Sequence, residues 1–185
     1  MEYVSGITLD DYVREYHDGL PLKAAQPLLR GLVEALDYIH GETITHRDLK
    51  PSNVILRPAT NIESLEPLLM DFGLAVQGTE VADEDVIGTI YYTAPEQIVS
   101  DGVIDYRADI YALGVLAYEL LTGRRPFDGN VGQVLFSHLN EPPPDPTLVN
   151  ETVPDEMAQA IMCAMNKHPD QRYPSAGAFY AAMFA

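Results

Sequence analysis

His46-Arg47-Asp48-Leu49-Lys50-Pro51-Ser52-Asn53 is the most informative stretch of this sequence, and Asp71-Phe72-Gly73 follows it further along the chain. Asp48, Asn53 and Asp71 supply carboxylate and amide oxygens, the hard ligands that suit Mg²⁺ held together with phosphate groups. Lys50, close to Asp48, adds a positive point charge of the kind that binds a phosphoryl group. The pattern therefore predicts a site for Mg²⁺ and substrate phosphates.

The bulk composition limits the partners of this chain. Its 185 residues suffice for one domain with a sizeable core, and 46% of them are hydrophobic. A net charge of −17 argues against a nucleic acid or an anionic membrane surface as the main partner. The acidic surface is compatible with basic protein substrates, although we favour the simpler interpretation that it is only solvated. No apolar run approaches the length of a membrane span, and Cys163, the only cysteine, fits a reducing, cytoplasmic compartment.

Hydrophobic spacing predicts a mainly helical domain, α+β overall, with little strand. Leu28, Leu32 and Leu36 recur at the helical period. Apolar residues surround the segment 106–121 almost completely, which is typical of a buried central helix. The predicted helices cover residues 9–17, 22–40, 106–121, 131–139, 155–166 and 175–183, and the strands of a predicted hairpin cover residues 54–56 and 67–70.

A set of motifs in fixed order resembles those of protein kinases, and most of all the bacterial Hanks-type serine/threonine kinases. Residues 46–53 resemble the catalytic loop, and residues 71–96, from Asp-Phe-Gly to Ala-Pro-Glu, resemble the activation segment. Residues 109–114 resemble the motif of the central helix. Residues 1–4 resemble the hinge strand that links the two lobes of the family.

This resemblance implies a protein-kinase-like fold of which residues 1–185 form the C-terminal lobe only. Residues 1–6 would be the hinge, and residues 7–185 would be a helical lobe with a small β-hairpin near the catalytic loop. The implied activity is transfer of the γ-phosphoryl group of ATP to Ser or Thr hydroxyls of a protein substrate.

The resemblance also implies the catalytic and metal-binding roles. Asp48 would orient the substrate hydroxyl and accept its proton, and Lys50 would neutralise charge on the phosphoryl group in transit. Asn53 and Asp71 would hold the Mg²⁺ ions that bridge the phosphates of ATP.

Nucleotide binding is implied at three further positions. Backbone groups of Glu2 and Val4 would meet the adenine ring, and Ile55 would pack beneath it. For Val4 and Ile55, ordinary core packing is an alternative that the sequence leaves open.

Three residues are implied for the activation segment and the protein substrate. Arg47 would pair with a phosphate on that segment, for which Thr79 is the candidate acceptor. The acids of residues 80–85 would satisfy Arg47 without a phosphate, or they form a solvated loop. Thr89 would contact Asp48 and Lys50 and form the floor of the substrate pocket.

The remaining implied residues are structural. By this resemblance, His46 would be a packed histidine stacked near Phe72, which Gly73 follows. Glu96 of the activation segment would form an ion pair with Arg172, and Asp109 would bond the catalytic-loop backbone.

The upstream part of the family pattern cannot be placed on these residues. Kinases carry a Gly-rich loop, a strand lysine and a helix glutamate before the hinge, and no such Gly-rich loop occurs here. One hypothesis is therefore a kinase lobe that is completed by an N-terminal lobe from a longer chain or a partner acting in trans. The other is a catalytically silent lobe that binds proteins.

Overall fold

A computed structural model describes residues 5–58, 65–71, 88–99 and 104–185. These residues form a helical domain with a small sheet at one side, which confirms the predicted fold class. The helices are α1 (Leu9–Val13), α2 (Leu22–Gly41), α3 (Pro95–Ile98), α4 (Arg107–Thr122), α5 (Val131–Asn140), α6 (Pro146–Val149), α7 (Asp155–Ala164) and α8 (Ala176–Met183). The strands are β1 (Ile7–Thr8), β2 (Val54–Pro58) and β3 (Leu65–Leu69).

Helix α4 runs through the centre of the core, as the sequence predicts. Apolar residues on nearly all of its faces are buried, and the side chains of Ile110, Leu113 and Leu116 are fully buried. The helix ends at Gly123, whose φ of 70° lies in the left-handed region. A Cβ at this position would lie 2.4 Å from the carbonyl oxygen of His17, so a side chain is excluded by contact as well as by conformation.

Helix α2 is amphipathic and packs its apolar face on the core. Leu29, Leu32 and Leu36 are fully buried, whereas Tyr38 on the opposite face is largely exposed. The helix continues through Pro27 rather than ending there. Pro27 lies in the second turn, so the helix lacks the backbone bond that an N–H here would donate to the carbonyl oxygen of Lys23.

The sheet contains one strand more than the sequence predicts. Strands β2 and β3 form the expected antiparallel hairpin, with Val54 opposite Leu69. Strand β1 adds to the other edge of β2, where Ile7 pairs with Leu56. Two residues are too few to show an alternating pattern, so the sequence carried no signal for this strand. Gly6 permits the approach, since a Cβ there would lie 2.5 Å from the carbonyl oxygen of Leu56.

Side-chain caps define two helix starts that the sequence indicates. The Thr8 hydroxyl accepts a hydrogen bond from the backbone N–H of Asp11 at 3.0 Å, and the Ser175 hydroxyl accepts one from Ala178 at 3.0 Å. Helix α1 ends at Val13, several residues before the predicted end, because the chain turns there.

Among the described residues, no helix combines the length and the apolar character that crossing a bilayer requires.

Polar side chains lie in the core beside α4. His138 of α5 is fully buried and lies between the hydroxyl of Tyr111 and the backbone carbonyl of Tyr91. Burial and the neighbouring Lys167 ammonium lower the pKa of His138 to about 4. The imidazole is therefore neutral in the folded protein over the physiological range of pH.

The buried imidazole predicts a loss of stability in acid. An unfolded histidine has a pKa near 6.5, so between pH 6.5 and 4 the unfolded chain binds more protons at His138 than the folded chain does. This term is fully present above pH 6.5, and it falls by about 2–3 kcal/mol between pH 7.5 and 4.5. Urea unfolding at both pH values measures it, as the part of the change that disappears in His138→Phe.

The control is His168→Gln, which removes a histidine at the surface. We expect this variant to keep the pH dependence of the wild type. Equal pH dependence in the wild type and in His138→Phe would show that the buried imidazole is not held neutral.

Candidate active site

Asp109 anchors the backbone of residues 46–53. Its carboxylate is buried and accepts hydrogen bonds from the backbone N–H groups of His46 at 2.8 Å and Arg47 at 2.7 Å. His40 Nε2 lies 2.7 Å from the same carboxylate. Arg47 has a φ of 67°, which is costly for a residue with a side chain. The bonds to Asp109 therefore hold the loop in a conformation that it would otherwise leave.

His46 is fully buried, and both of its ring nitrogens lie within hydrogen-bonding distance of a backbone group. Nε2 lies 2.8 Å from the carbonyl oxygen of Met70, and Nδ1 accepts from the N–H of Asp48 at 3.3 Å. A carbonyl can only accept, so the ring proton is on Nε2. This geometry suits a structural histidine that joins the loop to the end of β3.

The centre of the site is a cluster of Asp48, Lys50, Asn53 and Thr89. The side-chain amide of Asn53 donates to both the backbone oxygen and Oδ2 of Asp48, each at 2.8 Å. The Thr89 hydroxyl donates to Asp48 Oδ1 at 3.0 Å and accepts from Lys50 Nζ at 2.8 Å. Lys50 Nζ also lies 3.4 Å from Asp48 Oδ2. Each oxygen of Asp48 is thus held in place by neighbouring donors.

Asn53 and Asp71 come together at the edge of this cluster. The backbone N–H of Met70 donates to the carbonyl oxygen of Asn53 at 2.8 Å, which brings Asp71, the next residue, beside the loop. Asp71 is exposed and has a φ of 56°. One carboxylate and one amide oxygen fit the ligand set that Mg²⁺ takes when water and phosphates complete its coordination.

Glu96 and Arg172 form a buried ion pair. The two guanidinium nitrogens of Arg172 lie 2.6 and 2.8 Å from the two carboxylate oxygens of Glu96. The Arg172 side chain is 0% exposed and also donates to the backbone oxygens of Arg107, Asn166 and Lys167. The bidentate pair ties the start of α3 to the C-terminal part of the lobe.

Several predicted site residues lie outside the part of the chain that the structure describes. They are Glu2, Val4, Phe72, Gly73 and Thr79. Of the three predicted nucleotide contacts, only Ile55 is described. It lies half-buried in β2, opposite Thr8 of β1 and Leu68 of β3.

Sequence reasoning missed two residues that shape the segment after residue 88. Gln97 donates through its side-chain amide to the backbone oxygen of Arg47 at 2.9 Å and accepts from the N–H of Ala94 at 3.0 Å. Glu119 of α4 is partly buried and accepts a hydrogen bond from the Tyr92 hydroxyl. Burial raises the pKa of Glu119. Glu119 is the one charged residue in the stretch 110–122 of α4, and this was the available signal for it, whereas Gln97 gave none.

The helical fold and this cluster are of the protein kinase type. The family model described as Protein kinase domain matches residues 1–182, and the chain belongs to that family.

Curated relatives place the chain among the serine/threonine kinases. It is 40% identical to serine/threonine-protein kinase Pkn1 of Myxococcus xanthus, over 92% of this chain and 27% of that protein. It is 36% identical to serine/threonine-protein kinase PrkC of Bacillus subtilis, over 95% of this chain and 27% of that protein. The chain therefore spans about a quarter of the length of these relatives.

A solved structure shows the same fold. The kinase domain of PknI from Mycobacterium tuberculosis superposes with a TM-score of 0.76 at 28% sequence identity. The superposition covers 100% of this chain and 64% of that chain.

Proposed function

We propose that this chain is the catalytic lobe of a serine/threonine protein kinase, which transfers the γ-phosphoryl group of ATP to Ser or Thr hydroxyls of proteins. The observation that carries the proposal is the contact of Thr89 with both Asp48 and Lys50. It brings the segment after residue 88 against the loop 46–53, so that a hydroxyl lying on that segment would meet a carboxylate and an ammonium group together.

Within the cluster, Asp48 and Lys50 would have different roles in phosphoryl transfer. Asp48 would accept a hydrogen bond from the substrate hydroxyl and take its proton late in the reaction. Lys50, 3.4 Å from Asp48 Oδ2, would place its charge beside the oxygens of the phosphoryl group. Positioning and charge neutralisation are the main contributions that an enzyme makes to this reaction.

Asn53 and Asp71 are the residues of this lobe that would hold Mg²⁺. The bound metal would neutralise phosphate charge as the bond to the γ-phosphorus forms. Glu2, Val4 and Ile55 are proposed to contact the adenine ring of ATP. Arg47, which is exposed, remains the candidate partner of an activation-segment phosphate, with Thr79 as its acceptor.

We propose that residues 1–6 act as a hinge and residues 7–185 as the helical lobe, with a further lobe covering ATP. This arrangement is supported by the match to PknI, of whose kinase domain this chain covers 64%. The second lobe would come from a longer chain or from a partner. ATP-dependent transfer also suggests the cytoplasm as the compartment, and the net charge of −17 makes a basic protein a reasonable first substrate.

Phosphate transfer from [γ-³²P]ATP to myelin basic protein, with Mg²⁺ present, tests the proposal. The assay uses this chain alone and this chain preceded by the N-terminal lobe of PrkC. We expect transfer to Ser and Thr by the two-lobed protein, at least about 100-fold slower transfer by the lone chain, and none in Asp71→Asn. A two-lobed protein that unfolds cooperatively and binds ATP but transfers no phosphate would favour the protein-binding alternative.

Thr89 offers a smaller test of the cluster. Thr89→Val keeps the volume of the side chain but removes the hydroxyl between Lys50 and Asp48, so we expect phosphate transfer to slow about tenfold. Thr89→Ser keeps the hydroxyl and should retain most of the rate. Wild-type transfer by Thr89→Val would show that this contact does not contribute to the reaction.

A further inference from the structure

A chain of hydrogen bonds crosses the lobe from helix α7's end to the segment 88–95. Lys167 Nζ lies 3.3 Å from the Tyr111 hydroxyl, and this hydroxyl lies 2.8 Å from His138 Nδ1. His138 Nε2 lies 3.1 Å from the backbone oxygen of Tyr91. The chain joins three helical regions to one carbonyl group of the segment.

The two ends of this chain fix its direction. An ammonium group can only donate, and a carbonyl oxygen can only accept. His138 must therefore carry a proton on Nε2 to reach Tyr91, and in the neutral ring Nδ1 then accepts from the Tyr111 hydroxyl. The oxygen of Tyr111 in turn accepts from Lys167. The neutral imidazole satisfies these bonds and also gives the Tyr111 hydroxyl proton an acceptor, and the lowered pKa of His138 agrees with this state.

The His138 ring has little room to move. It is fully buried, it packs edge-on against Phe127 with ring centres 5.0 Å apart, and it lies 5.6 Å from the centre of the Tyr111 ring. The Tyr111 ring also lies beneath Arg172, whose guanidinium carbon is 4.9 Å from the centre of this ring. The N–H of His138 therefore lies in a fixed position on the core side of the Tyr91 carbonyl.

Tyr91 belongs to the segment that reaches the catalytic cluster. Thr89, two residues earlier, is the residue that bonds Asp48 and Lys50. The guanidinium group of Arg125 lies over the Tyr91 ring at 3.6 Å, so this ring is held from a second direction. Helix α5 contacts the segment 88–95 through the hydrogen bond from His138 to the carbonyl oxygen of Tyr91.

We propose that His138 is a positioning residue, which holds the segment 88–95 through the Tyr91 carbonyl in the conformation that receives the protein substrate. This inference rests on the proposed kinase function, because the segment would otherwise have no substrate to receive. His138 acts through Tyr91 and touches no reacting atom. A merely structural histidine would affect the stability of the lobe and leave substrate binding unchanged.

Hydrogen exchange on the full chain provides the first test. His138→Phe keeps the ring packed against Phe127 but cannot donate to Tyr91, whereas His138→Gln places an amide N–H at a similar distance from the backbone. In His138→Phe we expect the turn amides of Tyr92 and Thr93 to exchange about tenfold faster, the effect of losing one neutral hydrogen bond. His138→Gln should restore slow exchange.

The control is Val134→Ala, which shortens a buried apolar side chain in the same helix. It should lower the stability of the lobe without changing the exchange of the two amides. Unchanged exchange of Tyr92 and Thr93 in His138→Phe would overturn the inference.

Steady-state kinetics provide the second test, in the preparation that transfers phosphate. For His138→Phe we expect the KM for myelin basic protein to rise about tenfold, with kcat and the KM for ATP within about twofold of the wild type. His138→Gln should recover most of this KM, and Val134→Ala should not raise it. Faster exchange with an unchanged KM would reduce His138 to a structural role and overturn the inference.

The two proposals can fail separately. If no preparation transfers phosphate, the proposed function fails, and the exchange rates of Tyr92 and Thr93 alone decide whether His138 positions the segment.

Discussion

Asp48→Asn is expected to lower phosphate transfer by at least about 100-fold, the contribution that a positioned acid–base group makes. The change is nearly isosteric, but it removes the charge that attracts the substrate proton and the Lys50 ammonium, which lies 3.4 Å away. It also places a donor in the region where the Thr89 hydroxyl now donates to Oδ1. The measurement is the initial rate of γ-phosphate transfer to myelin basic protein by the two-lobed protein.

The matched control is Asp37→Asn. The Asp37 carboxylate accepts two hydrogen bonds, as that of Asp48 does, but its donors are the backbone N–H groups of Ala176 and Gly177. Asp37 lies in α2 and bonds the start of α8. We expect this variant to lose some stability and to keep its rate of transfer. If Asp48→Asn retains more than a tenth of the wild-type rate, Asp48 does not have the role proposed for it.

Arg172→Met is expected to destabilise the lobe by about 3–5 kcal/mol, because it leaves the carboxylate of Glu96 buried without its partner. The variant also leaves three backbone carbonyls without the donors that Arg172 provides. For a domain of this size the melting temperature should fall by roughly 10 °C. Urea unfolding at neutral pH measures the change in the free energy of unfolding.

A second pair of variants separates the lost charge pair from lost packing. Combining Glu96→Leu with Arg172→Met should cost less than the sum of the single changes, because no unpaired charge is then buried. Arg57→Met is the surface control, since Arg57 and Glu66 form an ion pair in which both side chains are about half exposed. It should cost less than about 1 kcal/mol. Equal losses from Arg57→Met and Arg172→Met would contradict a stabilising role for the buried pair.

The long elements could be predicted because their signals are local. Helix α4 carries apolar residues on nearly all of its faces and has a glycine stop at Gly123, and α2 repeats leucine at the helical period. Both were predicted to within about a residue at each end. Strand β1 could not be predicted, because it consists of two residues and exists only through its pairing with β2.

The cluster at Asp48 was reached through a resemblance rather than through spacing alone. A single chain gives no reason why Thr89 should meet Asp48, which lies 41 positions earlier. The resemblance named both residues and their contact, and the structure brings them together. Their roles in catalysis stay predictions.

The chain of bonds through His138 lay beyond the reach of sequence analysis. Lys167, Tyr111, His138 and Tyr91 come from separate segments, and none of them belongs to a motif that predicts a hydrogen bond to the others. His138 lies in an amphipathic helix, where the sequence alone gives no reason to expect a histidine on the buried face. Its complete burial depends on how α5 packs beside α4, which local patterns do not encode.

The most direct test of the proposed kinase function is to identify the phosphorylated residues formed on myelin basic protein by the two-lobed protein and by its Asp48→Asn variant, in Mg²⁺ and [γ-³²P]ATP. We expect phosphoserine and phosphothreonine with the wild-type lobe and at least about 100-fold less of both with Asp48→Asn. A folded, ATP-binding wild-type protein that forms neither product, or a variant that forms both at the wild-type rate, would contradict it.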